Sequence, residues 1–126
     1  MPEGTQGARQ KPNYRLSIRI YLPSGLRIGR GKIALLEAVE ETGSISGAAR
    51  LLNMSYKRAW DLLEELNTNF KERVIVTNAG GSHGGGAELS RCGQALIKHY
   101  RALEADAYAM GKTHLQAIAR MESGAG

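Results

Sequence analysis

The chain has 126 residues, 17 Lys and Arg against 12 Asp and Glu, and a formal charge of +5; this length supports one compact domain with ends to spare. No apolar run approaches the ~20 residues that a membrane-spanning helix needs, and the N-terminus lacks the apolar core of a signal peptide. Cys92 is the only cysteine and cannot form an internal disulfide, so a reducing, cytoplasmic setting is expected.

Met1 to Asn13 is polar with Gly and Pro and is expected to be a mobile arm over 1–13. Charge concentrates near this end. Up to Lys32 the basic residues are Arg9, Lys11, Arg15, Arg19, Arg27, Arg30 and Lys32, against Glu3 alone. That balance suits an arm or strand near an acidic polymer, and equally a solvated surface. Tyr14, Leu16, Ile18, Ile20 and Leu22 alternate with Arg15, Ser17, Arg19 and Tyr21, the period of a strand with one buried face. Pro23, Ser24 and Gly25 end it, and Leu26 with Ile28 marks a second short strand and a small hairpin. From Lys32 to Thr42, Ile33, Leu36 and Val39 lie inward and Glu37, Glu40 and Glu41 outward, which predicts an amphipathic helix stopped by Gly43.

Gly43 to Asn67 has the layout of a helix-turn-helix, whose use is to set the start of its second helix in the major groove of DNA. Ser44 caps a short helix with Ile45, Ala48, Ala49 and Leu52 on one stripe. Asn53 and Met54 interrupt it. Ser55 then caps a second helix with apolar positions at Tyr56, Ala59, Trp60, Leu63 and Leu66. Lys57 and Arg58 stand in its first turn, where cations oppose the helix dipole and an anionic partner would relieve the conflict. Helical spacing makes Trp60 a core residue, whereas Tyr56 either packs or reaches a phosphate through its hydroxyl. Asp61, Glu64 and Glu65 read as a solvated face.

Val74 to Thr77 reads as a strand, followed by Gly80-Gly81-Ser82-His83-Gly84-Gly85-Gly86 and a return over Ala87 to Leu89. A β-hairpin wing with a glycine tip accounts for this pattern; a flexible linker is the simpler alternative. A nucleotide loop of the Walker type would need a Lys after the glycines. The last helix starts at Ser90 and reaches at least Met110. Leu96, Tyr100, Leu103, Ala107 and Met110 recur at gaps of 4 and 3, the spacing of a coiled-coil seam between two copies and also of a helix folded on its own domain. Beyond Gly111 the pattern fades.

His83, His99 and His114 are too scattered to form a metal box with Cys92, and no nucleophile stands with a base. Cys92 near a helix start could be a dipole-stabilised thiolate or a small buried side chain. No cofactor and no enzymatic activity are expected.

Ser-Ile-Ser at 44–46, Met-Ser-Tyr-Lys-Arg-Ala-Trp-Asp at 54–61, Glu-Leu-Asn at 65–67, Gly80-Gly81, Gly84-Gly85-Gly86-Ala87 and Gly93-Gln94-Ala95-Leu96-Ile97 give a chain that resembles the N-terminal domain of ModE-type molybdate-responsive transcriptional regulators, over about Gly29 to Leu103. The resemblance implies a mainly α fold with small β (α+β), a winged helix-turn-helix with an N-terminal strand and a long C-terminal dimerisation helix. The domain would occupy 14–89, with the helix-turn-helix at 44–67 and the wing at 74–89; the dimerisation helix would be 90–114 and the tail 115–126. It further implies sequence-specific binding of double-stranded DNA by a homodimer. Residues expected at DNA are Ser44, Ser46, Ser55, Tyr56, Lys57 and Arg58, together with Gly80, Gly81, Ser82, His83 and Gly84 at the wing tip. Those expected at the dimer interface are Leu96, Tyr100, Leu103, Ala107 and Met110. Family wings usually carry Glu-Arg where this chain has Val76-Thr77. The family's molybdate-binding domain would follow the long helix, and the chain ends first, so oxyanion sensing is not carried over and any signal would come from a separate effector-sensing protein or an unrecognised small site. The competing functions are an adaptor that has lost DNA contact, and an oxyanion or nucleotide sensor built on the glycine loop.

Overall fold

The computed structural model describes residues 14–78 and 85–123. Their elements are β1 (Ile20–Tyr21), β2 (Arg27–Ile28), α1 (Arg30–Thr42), α2 (Ile45–Leu51), α3 (Tyr56–Asn69), β3 (Ile75–Asn78), β4 (Gly86–Leu89) and α4 (Arg91–Arg120). The architecture is α+β and mainly helical: a helix-turn-helix, a β-hairpin wing and a long last helix. β1 pairs antiparallel with β2, Ile20 opposite Ile28, and β3 with β4, Ile75 opposite Leu89 and Asn78 opposite Gly86. Among the described residues no helix is long and apolar enough to cross a membrane.

Helix α1 is the centre of the core. Ile33, Leu35, Leu36, Ala38 and Val39 are all buried, a wider arc than a surface helix shows, because α2, α3, α4 and β4 all pack on it. It stops at Gly43, whose φ of 79° is the left-handed conformation glycine adopts without strain, and whose N–H bonds the Val39 carbonyl at 2.8 Å. The Gly43 carbonyl then accepts from the Ala87 N–H at 2.8 Å. One corner thus ends a helix and seats the wing.

The expected strand over Tyr14 to Leu22 is only partly a strand. Ladder pairing is confined to Ile20–Tyr21, yet half-buried and exposed residues alternate all the way from Tyr14 to Leu22. The extended backbone is held instead by two tyrosines of α4. The Tyr100 hydroxyl donates to the Ile18 carbonyl at 2.7 Å, and the Leu16 N–H donates to the Tyr108 hydroxyl at 2.7 Å. Side-chain oxygens stand where a neighbouring strand would be, so the backbone groups are satisfied without a sheet.

Tyr100 is 1% exposed, and this corrects its expected place in a dimer seam: it faces the core of its own chain. Burial, followed by the charge of Glu104, pushes its phenol pKa up from the ordinary value near 10. A raised folded-state pKa means that the neutral phenol's contribution is complete below about pH 10 and is lost as pH climbs through the folded value. Thermal stability should therefore fall more steeply above pH 10 in the wild type than in Tyr100→Phe; superimposable alkaline profiles would exclude the proposed coupling.

Helix α4 opens at Ser90, whose hydroxyl accepts from Gly93 N–H at 3.1 Å and donates to the Arg73 carbonyl. It continues through Gly111 to Arg120, so residues 115–120 are helix where a tail was expected. Arg101 fixes it to the core by a bidentate pair with Glu37, at 2.9 and 2.7 Å, and also bonds Glu104 at 2.7 Å. Both carboxylates hold its guanidinium pKa above the ordinary arginine value.

Candidate nucleic-acid interface

Helix α2 is short because its ends are set locally. The Ser44 hydroxyl accepts from the Gly47 N–H at 2.9 Å, Ile45, Ala48 and Ala49 are buried, and the chain then turns at Asn53, φ 58°, the one non-glycine residue with positive φ among the described residues. Asparagine tolerates that conformation better than most side chains. The Met54 N–H closes the turn on the Ala49 carbonyl at 2.9 Å. Small Ala48 and Ala49 allow the close crossing of α2 by its neighbours.

Ser55 caps α3, its hydroxyl accepting from the Arg58 N–H at 3.1 Å. Ala59, Leu63, Leu66 and Asn67 face inward. Tyr56, Lys57 and Arg58 all lie exposed at the opening of this helix, so its N-terminal end is open to a partner. No acidic residue stands in that first turn. The conflict of Lys57 with the helix dipole is eased within the helix itself: its ammonium pairs with Asp61 at 2.9 Å, although Lys57 remains 82% exposed. An exposed i,i+4 pair is weak and yields readily to a phosphate.

Trp60 is not core. It is 44% exposed: at ~100° per residue it stands on the flank of the face that Ala59, Leu63 and Leu66 bury. With Tyr56 one turn earlier, it forms an exposed aromatic pair on the flank of α3. Ser44 and Ser46 meet at 3.5 Å between hydroxyls, with Ser46 exposed. Gly80, Gly81, Ser82, His83 and Gly84 lie outside the described residues.

The acidic residues of α3 do more than solvate it. Asp61 holds Lys57, Glu65 accepts from the nearly buried Lys32 at 3.0 Å, and Glu64 lies 3.9 Å from Arg73. Asn67, a residue sequence reasoning passed over, is the buried link between α3 and the wing. Its Oδ1 accepts from the N–H groups of Val74 and Ile75, at 2.7 and 3.2 Å. The available signal was a polar residue one turn after Leu63 within an otherwise apolar stripe.

The candidate interface residues of α4 divide in two. Leu96 and Tyr100 pack on the domain's own core. Leu103 and Met110 are exposed and Ala107 is half-buried, and Ile118 and Met121 extend the exposed apolar set.

Among the described residues no three His, Cys, Asp or Glu side chains gather as a metal site. Cys92 is half-buried against the core, and burial, then the charge of Glu72, pushes its thiol pKa up. Its thiolate is disfavoured.

Residues 31–94 match the family described as bacterial regulatory helix-turn-helix protein, lysR family. Over 82 residues the chain is 45% identical to the molybdenum-pterin-binding protein MopB of Rhodobacter capsulatus, covering 65% of this chain and 30% of that protein. Over 80 residues it is 42% identical to the molybdenum transport protein ModE of Azotobacter vinelandii, covering 64% and 30%. Over 70 residues it is 46% identical to the DNA-binding transcriptional dual regulator ModE of Escherichia coli K12, covering 55% and 26%. The chain spans about 30% of the length of the curated relatives first matched.

Proposed function

Because the chain belongs to the lysR family of bacterial regulatory helix-turn-helix proteins, we propose that it is a sequence-specific, DNA-binding transcription regulator that acts in the cytoplasm as a homodimer. It binds and does not catalyse. The observation that carries this is the open N-terminal end of α3, where Tyr56, Lys57 and Arg58 project from a helix anchored behind by Ala59, Leu63 and Leu66. The first turn enters the major groove; Ser55 and the adjacent amides approach phosphate, and the wing lies on the backbone or in the minor groove.

Two copies join through the distal half of α4. Leu103, Ala107 and Met110, continued by Ile118 and Met121, form an apolar strip beyond the last residue buried by the chain's own domain. Met110 is 84% exposed, a cost that a partner helix would remove. The relatives' names join DNA binding with molybdenum, and we assign the matched segment the DNA-binding part.

A gel-shift titration over rising salt tests DNA binding. Affinity should fall linearly on logarithmic axes, and Lys57→Ala should weaken binding on every sequence and lower the slope by about 1 for each protomer bound. Absence of salt-sensitive retention sinks the proposal. Sedimentation of Leu103→Glu with Met110→Lys should give a folded monomer where the wild type gives a dimer.

A further inference from the structure

Between the N-terminal hairpin and α3 lies a groove of about 590 Å³. Its walls bring together Arg19 beside β1, Arg27 of β2, Arg30 at the start of α1 and Arg58 in the first turn of α3. All four are exposed, and none is paired with a carboxylate among the described residues. Glu65 is the one carboxylate on the wall, and it is already held by Lys32 at 3.0 Å. The floor includes the first turn of α1, which starts at Gly29 with no side-chain cap and no acidic residue to offset its dipole. Like charges gathered this way repel one another unless an anion lies between them.

We infer that this groove is a second DNA contact, a clamp for the phosphate backbone flanking the base pairs that α3 reads; the inference rests on the proposed DNA-binding function. The polymer is favoured over a free oxyanion by exposure. Solvated guanidiniums in an open groove hold a small ion weakly at physiological salt, whereas a polyanion that releases counterions is bound by such arginines. Arg58 is shared between the groove and the mouth of α3, so the backbone running from one would pass into the other. The N-terminal hairpin thereby becomes a counterpart to the wing, on the side of α3 reached through β1, β2 and α1.

Two variants test it by fluorescence anisotropy on a random-sequence duplex across a salt series. Arg19→Ala with Arg27→Ala and Arg30→Ala should lower the logarithmic salt slope by about 2 to 3 for each protomer bound and weaken binding at least about tenfold near physiological salt. Gly31→Asp separates binding from folding. A Cβ at Gly31 meets nothing within 4 Å, and an acid in a helix's first turn is favourable, so its melting temperature should equal or exceed the wild type's while DNA affinity drops several-fold. Wild-type binding with an unchanged slope in the triple variant overturns the clamp alone. Calorimetric saturation by inorganic sulfate together with an unchanged slope would identify an oxyanion site in its place. Failure of the wild type to bind any duplex removes the DNA-binding proposal and the clamp together.

Discussion

Gly93→Ala should destabilise this protein more than any other glycine-to-alanine change among the described residues. Gly93 is buried in the first turn of α4, and a Cβ there would sit inside the contact distance of the Val74 carbonyl oxygen, with the Val74 carbonyl carbon at 3.2 Å and Leu89 Cβ at 3.4 Å. The obstacle is backbone. Val74 cannot retreat, because its carbonyl accepts from the Ser90 N–H at 3.0 Å and its N–H is held by Asn67. Helix α4 must therefore lift from β3, separating the wing from the domain. Overpacking of this kind costs on the order of 3 kcal/mol, a fall in melting temperature of roughly 10–20 °C for a domain of this size. Gly111→Ala on the same helix should act in the opposite sense. A Cβ there meets only the Leu115 side chain at 3.8 Å, so replacing a helical glycine should stabilise by about 0.5–1 kcal/mol. Equal effects of the two changes in a melting experiment would refute this packing argument.

Asn67→Leu should come second. The substitution keeps the branching and the number of side-chain heavy atoms and removes an oxygen that two buried N–H groups share, those of Val74 and Ile75. A buried donor left without an acceptor costs about 1–3 kcal/mol, so the pair should lower stability by about 2–5 kcal/mol in a denaturant titration. Asn67→Asp retains the acceptor and should keep the larger part of the stability at neutral pH. If Leu and Asp were equally harmful, the two bonds would not be what holds the wing to α3.

The helix-turn-helix was legible because it is written in short-range chemistry. Ser44 and Ser55 cap helices three residues downstream of their own oxygens, and the Ala48, Ala49, Leu63 and Leu66 stripe follows from helix period alone. What escaped was decided by distant parts of the chain or by small angles. Alternation from Tyr14 to Leu22 correctly marked a half-buried extended segment, but its bonding partners, Tyr100 and Tyr108, lie 82 and 92 residues away from Ile18 and Leu16. Trp60 shares the i, i+3 and i+4 rows of Leu63, and those rows include flank as well as core. Tyr100 fits a seam between two copies and a seam within one chain equally well; only the position of the N-terminal segment, which covers it, distinguishes them. Gly111 was too weak a signal to end a helix, since a single internal glycine costs under about 1 kcal/mol when its neighbours are good helix formers.

The four arginines of the groove illustrate the same limit. Arg19, Arg27 and Arg30 belong to the basic excess visible in the first quarter of the sequence, but their convergence on Arg58 required the β1–β2 turn to bring Arg19 and Arg27 to the start of α1.

The opening of α3 into the major groove is the claim on which the rest depends, and methylation interference at guanine N7 reaches it directly, since N7 is exposed only in that groove. On duplexes selected by the protein from a random pool, N7 methylation should abolish binding at two clusters centred one helical turn apart, ~34 Å. Binding that is indifferent to N7 methylation, and blocked only by modification of the minor groove or the phosphates, would contradict it.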